Sequence, residues 1–143
     1  MRALHIKLFT LLSLTLLLAM AAARATSEDV QAVAEESTRA WLSLTDQGQF
    51  EQSWSDAASL FRAAITAEDW VRSLSAVRVP LGQLKSRAVS SATFSRTLPG
   101  APDGEYVVFQ FSTSFENKAS AVETVTAMKD EDGKWRVAGY FIK

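Results

Sequence analysis

Two different periods of apolar residues divide the chain. After residue 25, three stretches carry apolar residues three and four positions apart, which is the period of an amphipathic helix. The predicted helices begin near Ser27, Phe50 and Thr66, and Thr66 has an acid three residues on, as in a capping box. The third helix is expected to stop at Pro80, because the residue before a proline is disfavoured in a helix. The three apolar stripes are Val30, Val33, Ala34, Ser37, Trp41 and Leu44; Phe50, Trp54, Ala57, Ala58, Phe61, Ala64 and Ile65; and Ala67, Trp70, Leu74 and Val77.

The second half of the chain predicts about four antiparallel strands. They cover residues 84–94, 105–116, 121–129 and 135–142, with a Pro- and Gly-rich loop at 98–104. The second strand alternates most clearly, and the residues that share its apolar face are Val107, Phe109, Phe111, Thr113 and Phe115. The last two strands are joined by a hairpin turn in which Gly133 supplies a positive φ. Gly139 predicts a bend or bulge in the last strand. There, Trp135, Val137 and Phe141 are expected to alternate with Arg136, Ala138 and Tyr140.

Helices followed by strands predict an α+β domain, with the helices packed on one face of an antiparallel sheet. The expected domain covers residues 26–143. A strongly curved sheet in this element order resembles the nuclear transport factor 2-like superfamily, a cystatin-like cone. That resemblance implies a hollow between sheet and helices, which aromatic residues would line.

The first 25 residues have the layout of a secretory signal peptide. Arg2 and Lys7 precede an apolar run at 8–23, and Ala23-Arg24-Ala25 forms a cleavage site. The run is short against the ~20 residues of a membrane span, so cleavage after Ala25 is expected. The predicted location is the periplasm or the medium, with no stable membrane anchor after cleavage; an uncleaved anchor is the alternative.

Removal of this segment changes the chemistry available to the protein. The only histidine, His5, lies within it, and the chain has no cysteine. Ser-His and Cys-His catalysis, thiol chemistry and disulfides are therefore excluded for residues 26–143, and no metal or other cofactor is expected. Of 15 basic residues, Arg2, Lys7 and Arg24 would leave, so 12 remain against 16 acids, a net charge near −4. Because the basic residues are scattered, no nucleic-acid partner is expected.

Several segments together resemble a bacterial exported family, domain of unknown function 4019. They include "AWLSLTDQGQFEQSW", "TAEDW", "RVPLGQLKSR", "LPGAPDGEYVVFQFSTSF" and "DGKWRVAGYFIK", and the resemblance covers roughly residues 30–143. Phe50 departs from it, since the family carries another aromatic residue, tyrosine, there. The resemblance implies export and a stand-alone small domain, and it implies no reaction.

Glu123 is the foremost candidate for a functional side chain. It is the acid predicted in the middle of a strand, on one face with Val125 and Ala127. Because an isolated buried charge is costly, Glu123 needs a partner, and Arg87 or Arg78 could bind it bidentately. The result is either the polar floor of a ligand pocket or a structural ion pair that fixes strand register.

Four aromatic residues complete the candidate chemistry. Trp54 and Trp70 pack in the core or line a cavity, and Tyr106 or Tyr140 could donate a hydrogen bond to an oxyanion. A pairing of Glu123 with Tyr140 would resemble the base and donor of cofactor-free isomerases.

Three functions are compatible with these residues. The favoured one is non-catalytic binding of a small molecule in the cone, with the predicted ligand-binding residues Glu123, Arg87, Tyr106, Trp54 and Trp70. A protein-interaction or homodimer-forming module is the first alternative, since a free sheet edge could pair with a partner protein or a second copy. A cofactor-free enzyme with Glu123 as general base is the second.

Overall fold

The computed structural model describes residues 26–143, so the predicted signal peptide lies outside the described residues. Residues 26–32 are helical and belong to a first compact unit. The second unit, Val33–Lys143, contains every element considered below. In it, helix α1 covers 33–46 and is followed by α2 (Phe50–Ser55), α3 (Ser59–Ala64) and α4 (Ala67–Leu81). The strands are β1 (Leu84–Ser95), β2 (Tyr106–Phe115), β3 (Lys118–Lys129) and β4 (Trp135–Ile142).

The four strands form one antiparallel sheet in the order β1-β2-β3-β4, which confirms the predicted α+β class. The inner face of the sheet is the apolar face predicted for β2, and all five of its residues there are buried. Helices α1 and α4 contact this face: the Trp41 ring lies 5.3 Å from that of Tyr140, and the Arg78 guanidinium lies 4.5 Å from the ring of Phe115. The core of the unit therefore lies between these helices and the inner face.

The prediction of one continuous second helix was wrong, because the chain breaks between α2 and α3. At the break Ala57 and Ala58 are both fully buried. The backbone N–H of Ala58 donates to the carbonyl of Val137 on β4, at 2.8 Å. A long-range contact with the sheet thus replaces a helical hydrogen bond, and the apolar stripe alone does not reveal it.

The predicted helix end at Pro80 was also wrong, since α4 continues to Leu81. Pro80 lies in the last turn, and a proline there removes only one hydrogen bond from the helix. Gly82, with φ 72°, terminates the helix instead. At the other end the predicted cap at Thr66 is confirmed, because its hydroxyl accepts from the Asp69 backbone N–H at 3.2 Å.

A bulge in β4 changes which side chains face the core. Thr126 pairs with Gly139 whereas Ala127 pairs with Val137, so Ala138 is the extra residue, next to the glycine that predicted a bulge. One extra residue turns the following side chains to the opposite face. Phe141 is therefore 51% exposed, not inward with Val137 as expected, and Tyr140 faces the core.

Candidate functional site

The carboxylate of Glu123 accepts hydrogen bonds from all three other strands of the sheet. Glu123 lies on the inner face of β3 and is fully buried. Arg87 of β1 donates from Nε at 2.6 Å and from Nη2 at 3.1 Å. Thr113 of β2 donates its hydroxyl at 2.6 Å, and Tyr140 of β4 donates its phenol O–H. One side chain therefore connects the whole width of the sheet.

The same arginine connects the sheet to the C-terminal end of α1. Arg87 donates from Nη1 at 2.6 Å and from Nη2 at 3.0 Å to the carboxylate of Asp46. Arg78, in the last turn of α4, donates to Asp46 at 3.2 Å and also to the carbonyl of Gly82. Of the two arginines predicted as partners of Glu123, Arg87 is therefore the one that binds it, whereas Arg78 binds Asp46. We name this set the Glu123 network: Asp46, Arg78, Arg87, Thr113, Glu123 and Tyr140.

The network balances two guanidinium groups against two carboxylates, all in a largely buried position. Burial alone would lower the pKa of Arg87, but its hydrogen bonds with Asp46 and Glu123 outweigh burial and raise that pKa. Burial raises the pKa of the Tyr140 phenol, and the negative charge of Glu123 raises it further. Tyr140 therefore keeps its proton and stays a hydrogen-bond donor.

The geometry of the network favours a structural role for Glu123 over that of a general base. A carboxylate offers about four lone-pair positions, and Glu123 accepts four hydrogen bonds from the three strands. No acceptor position is left to take a proton from a substrate. Among the residues that the structure describes, no group of three or more His, Cys, Asp or Glu side chains could hold a metal ion.

The structure joins two of the five predicted ligand-binding residues directly, and the polar groups of the other three have partners outside the Glu123 network. Glu123 and Arg87 form the bidentate pair described above. The indole N–H of Trp54 donates to the carbonyl of Ile65 at 2.8 Å, and that of Trp70 donates to the Ser53 hydroxyl at 2.9 Å.

Tyr106 lies at the far end of β2, away from Glu123. Its phenol O–H donates to the carbonyl of Pro102 in the loop before the strand, at 2.6 Å. In the sheet Tyr106 pairs with Met128, whereas Glu123 pairs with Phe111, five residues further along β2. At about 3.4 Å per residue this is roughly 17 Å of strand. The ligand-binding role of all five residues remains a prediction.

An open groove lies elsewhere, and sequence reasoning missed it. Its volume is about 770 Å³, and it is bordered by α1, by the α2–α3 segment and by the start of β4. We name it the α1–β4 groove; its lining includes Ser37, Ala40, Trp41, Leu44, Asp56, Arg62, Lys134, Trp135 and Val137. The α1 stripe was a visible signal, but its spacing alone cannot distinguish side chains that fill a core from side chains that form the floor of a groove.

A smaller apolar cleft of about 210 Å³ opens between α4 and the end of β4. Trp70 lines it together with Leu74, Val77, Tyr140 and Phe141. Here a predicted ligand-binding residue, Trp70, borders an open space next to Tyr140 of the Glu123 network. Its volume lies below the 300–1,000 Å³ of typical ligand pockets.

The fold and the site define a small α+β domain in which the polar groups of the Glu123 network hydrogen-bond to one another. No described helix is both long enough and apolar enough to cross a membrane. A family model matches residues 37–140, and the chain belongs to that family, described as protein of unknown function (DUF4019). The predicted family is thereby confirmed, while export stays a prediction.

Comparison with solved structures supports the fold. A structure from Catenulispora acidiphila superposes with a TM-score of 0.55 at 14% identity, covering 82% of this chain and 93% of that chain. The superposition supports the α+β fold of this chain. At this identity the likeness concerns the fold alone. No curated protein matches the sequence significantly.

Proposed function

We propose that this domain is a non-catalytic binding module that holds a small molecule in the α1–β4 groove rather than at Glu123. The groove itself is the observation that carries the proposal. Its volume of about 770 Å³ falls within the range of ligand pockets, and its lining combines apolar and polar side chains; we call Trp41, Trp135 and Val137 its floor, and Asp56, Arg62 and Lys134 its rim. Glu123, by contrast, has its hydrogen-bonding capacity filled by the protein.

The floor of the groove is held in place by contacts from behind. Trp41 is 4% exposed, and its indole N–H donates to the carbonyl of Ser53 at 2.7 Å. Trp135 and Val137 border the same space and are 9% and 1% exposed. Such side chains need little ordering when a ligand binds, which lowers the entropic cost of binding.

The rim offers hydrogen-bond donors that the protein itself leaves largely unused. Lys134 is exposed, and among the described residues it makes no ion pair within 4.0 Å. Arg62 makes one long hydrogen bond to the carbonyl of Ser55, at 3.4 Å. Asp56 already accepts from Gln52 at 2.9 Å. This arrangement suits a ligand with an apolar body and a polar end that accepts hydrogen bonds.

Titration with 8-anilinonaphthalene-1-sulfonate, an apolar fluorophore with one anionic group, tests the proposal. The wild-type protein should enhance the fluorescence of the probe with a saturable profile. Ala40→Arg places a long side chain in the groove from an exposed helical position and should weaken binding by about tenfold or more. Ala76→Arg, on an exposed position of α4 outside the groove, is the matched control and should bind as the wild type does.

Two results would overturn the proposal. One is a wild-type protein that does not bind the probe, and the other is an Ala40→Arg variant that binds as tightly as Ala76→Arg. Native mass spectrometry of gently purified wild-type protein supplies an independent check, because a retained natural ligand adds its mass to that of the chain. The Ala40→Arg variant should lack that added mass.

A further inference from the structure

One free edge of the sheet lies along β4, and half of it is already covered by the chain itself. β4 is the last strand in the order β1-β2-β3-β4, so one of its sides has no strand partner. In its first half, the carbonyl of Val137 accepts from the backbone N–H of Ala58, at 2.8 Å. In the second half, residues 139–142, no described residue outside the sheet makes a backbone–backbone hydrogen bond with the strand.

Strand register determines which backbone groups of this second half have no partner in the sheet. Lys143 and Val122 exchange two hydrogen bonds, each 2.9 Å long. Bonded and non-bonded pairs alternate along an antiparallel ladder, so Ile142 and Tyr140 are the residues whose N–H and C=O groups point away from β3. Two residues at this spacing, with donors and acceptors directed to the open side, present the pattern with which an added strand pairs.

The apolar cleft between α4 and the end of β4 borders this open edge. Its lining includes Tyr140, Phe141 and Ile142 of β4 with Leu74 and Val77 of α4, and none of its lining residues is charged. Val77 is 50% exposed and Phe141 is 51% exposed, although both side chains are large and apolar. At about 210 Å³ the cleft is smaller than a typical small-molecule pocket, but it has room for an apolar side chain.

A strand added at this edge would place side chains in the cleft. Residues that pair directly in an antiparallel sheet have their side chains on the same face, and the Tyr140 side chain faces the helices. Side chains opposite Tyr140 and Ile142 would therefore point toward α4, about 4.8 Å beyond β4. We propose that this edge binds an extended peptide segment of a partner protein, which pairs its backbone with Tyr140 and Ile142 and inserts an apolar residue into the cleft.

The surroundings of the edge specify the chemistry of that segment. A charged residue in the uncharged cleft would lose its hydration without gaining a partner, so the inserted residue is apolar. On the outer side of the same edge the Lys143 ammonium lies 5.1 Å from the centre of the Phe141 ring, which favours an acidic residue at an outward position of the segment. The proposal does not depend on the α1–β4 groove, whose lining includes β4 only as far as Val137.

Selection from a phage-displayed library of random peptides tests the proposal. The wild-type protein should enrich peptides that carry apolar residues at alternating positions, with no proline between them. Val77→Glu introduces a charge at the cleft from an exposed position and should weaken the binding of a selected peptide by about tenfold or more. Val79→Glu is the matched control, because Val79 is a 65% exposed valine of the same helix outside the cleft, and its variant should bind as the wild type does.

Amide hydrogen exchange of the wild-type protein distinguishes strand addition from simple burial of an apolar side chain. A bound peptide should slow exchange at Tyr140 and Ile142, whereas Phe141 and Lys143 are bonded to β3 with or without the peptide and should change little. A library that yields no peptide of the expected pattern, or selected peptides that bind both valine variants equally, would overturn the proposal. Unchanged exchange at Tyr140 and Ile142, or slowed exchange along β1 instead, would overturn it as well.

Discussion

Replacement of Glu123 by glutamine tests the structural role of the Glu123 network directly. The change keeps the shape of the side chain but removes its charge and puts an N–H₂ group in place of one oxygen. At the Oε2 position the amide would face Arg87 and Tyr140, and at the Oε1 position Arg87 and Thr113, all of which donate toward Glu123. Removal of one partner of a buried ion pair costs about 3–5 kcal/mol. We expect about 3 kcal/mol, the lower end, because Arg87 keeps its two hydrogen bonds to Asp46.

Urea unfolding followed by tryptophan fluorescence measures this loss. With an m-value of about 1.5 kcal/mol/M, a loss of about 3 kcal/mol lowers the midpoint by about 2 M. Glu105→Gln is the matched control, since Glu105 pairs with Lys129 at 3.1 Å on the surface, where an ion pair contributes about 0–1 kcal/mol. Equal midpoints for the two variants would refute the structural argument and restore Glu123 as a candidate for a functional acid.

Three further predictions concern Asp130, Tyr140 and two glycines of the unit. Asp130 accepts hydrogen bonds from the backbone N–H and the hydroxyl of Ser59. Burial alone would raise the pKa of Asp130, but these hydrogen bonds lower it. The ionised carboxylate therefore stabilises the fold above its unfolded pKa of about 4, and this stabilisation is lost as the pH falls below that value. Asp130→Asn should therefore lower stability at pH 7, and the difference from the wild type should shrink in urea titrations below about pH 4. The raised pKa of Tyr140 predicts that phenolate absorbance at 295 nm in the wild type and in Tyr140→Phe coincides until alkaline unfolding, and earlier divergence would contradict the buried hydrogen bond. Gly82→Ala should destabilise the protein more than Gly48→Ala in the same urea assay. Both glycines have φ near 72°, where alanine costs about 1–2 kcal/mol of backbone strain, but only at Gly82 would the new Cβ lie 2.8 Å from another side chain. Equal losses of stability would contradict this steric argument.

The sequence was most informative where one residue type stood out against its surroundings. Glu123 was singled out because a mid-strand acid on an apolar face must be paired, and the expected arginine partner is present. Asp46 was not foreseen, because nothing in the sequence next to it predicts a distant partner. Its role depends on where α1 ends relative to β1, 41 residues along the chain from Arg87. The spacing of residues within one helix or strand carries no information about where that helix ends relative to a distant strand.

The predicted ligand-binding set shows the same limit. Trp54 and Trp70 lie on apolar stripes, as expected, but their indole N–H groups are bound within the helical layer rather than to Glu123. Tyr106 alternates correctly along β2, yet the loop before it supplies its partner. The groove that now carries the proposed function is formed by three separate segments, so no single stretch of sequence displays it.

By itself, the sequence determined the order of helices and strands, the buried face of β2, the family, and the absence of histidine and cysteine chemistry after residue 25. These properties follow from local period and composition, which each segment carries alone. The tertiary structure decided the break between α2 and α3, the turn of Tyr140 toward Glu123 by the β4 bulge, and the meeting of four charged groups at one buried point. Those outcomes depend on contacts between distant segments, because a buried polar group takes whichever partner the packing brings within hydrogen-bonding distance.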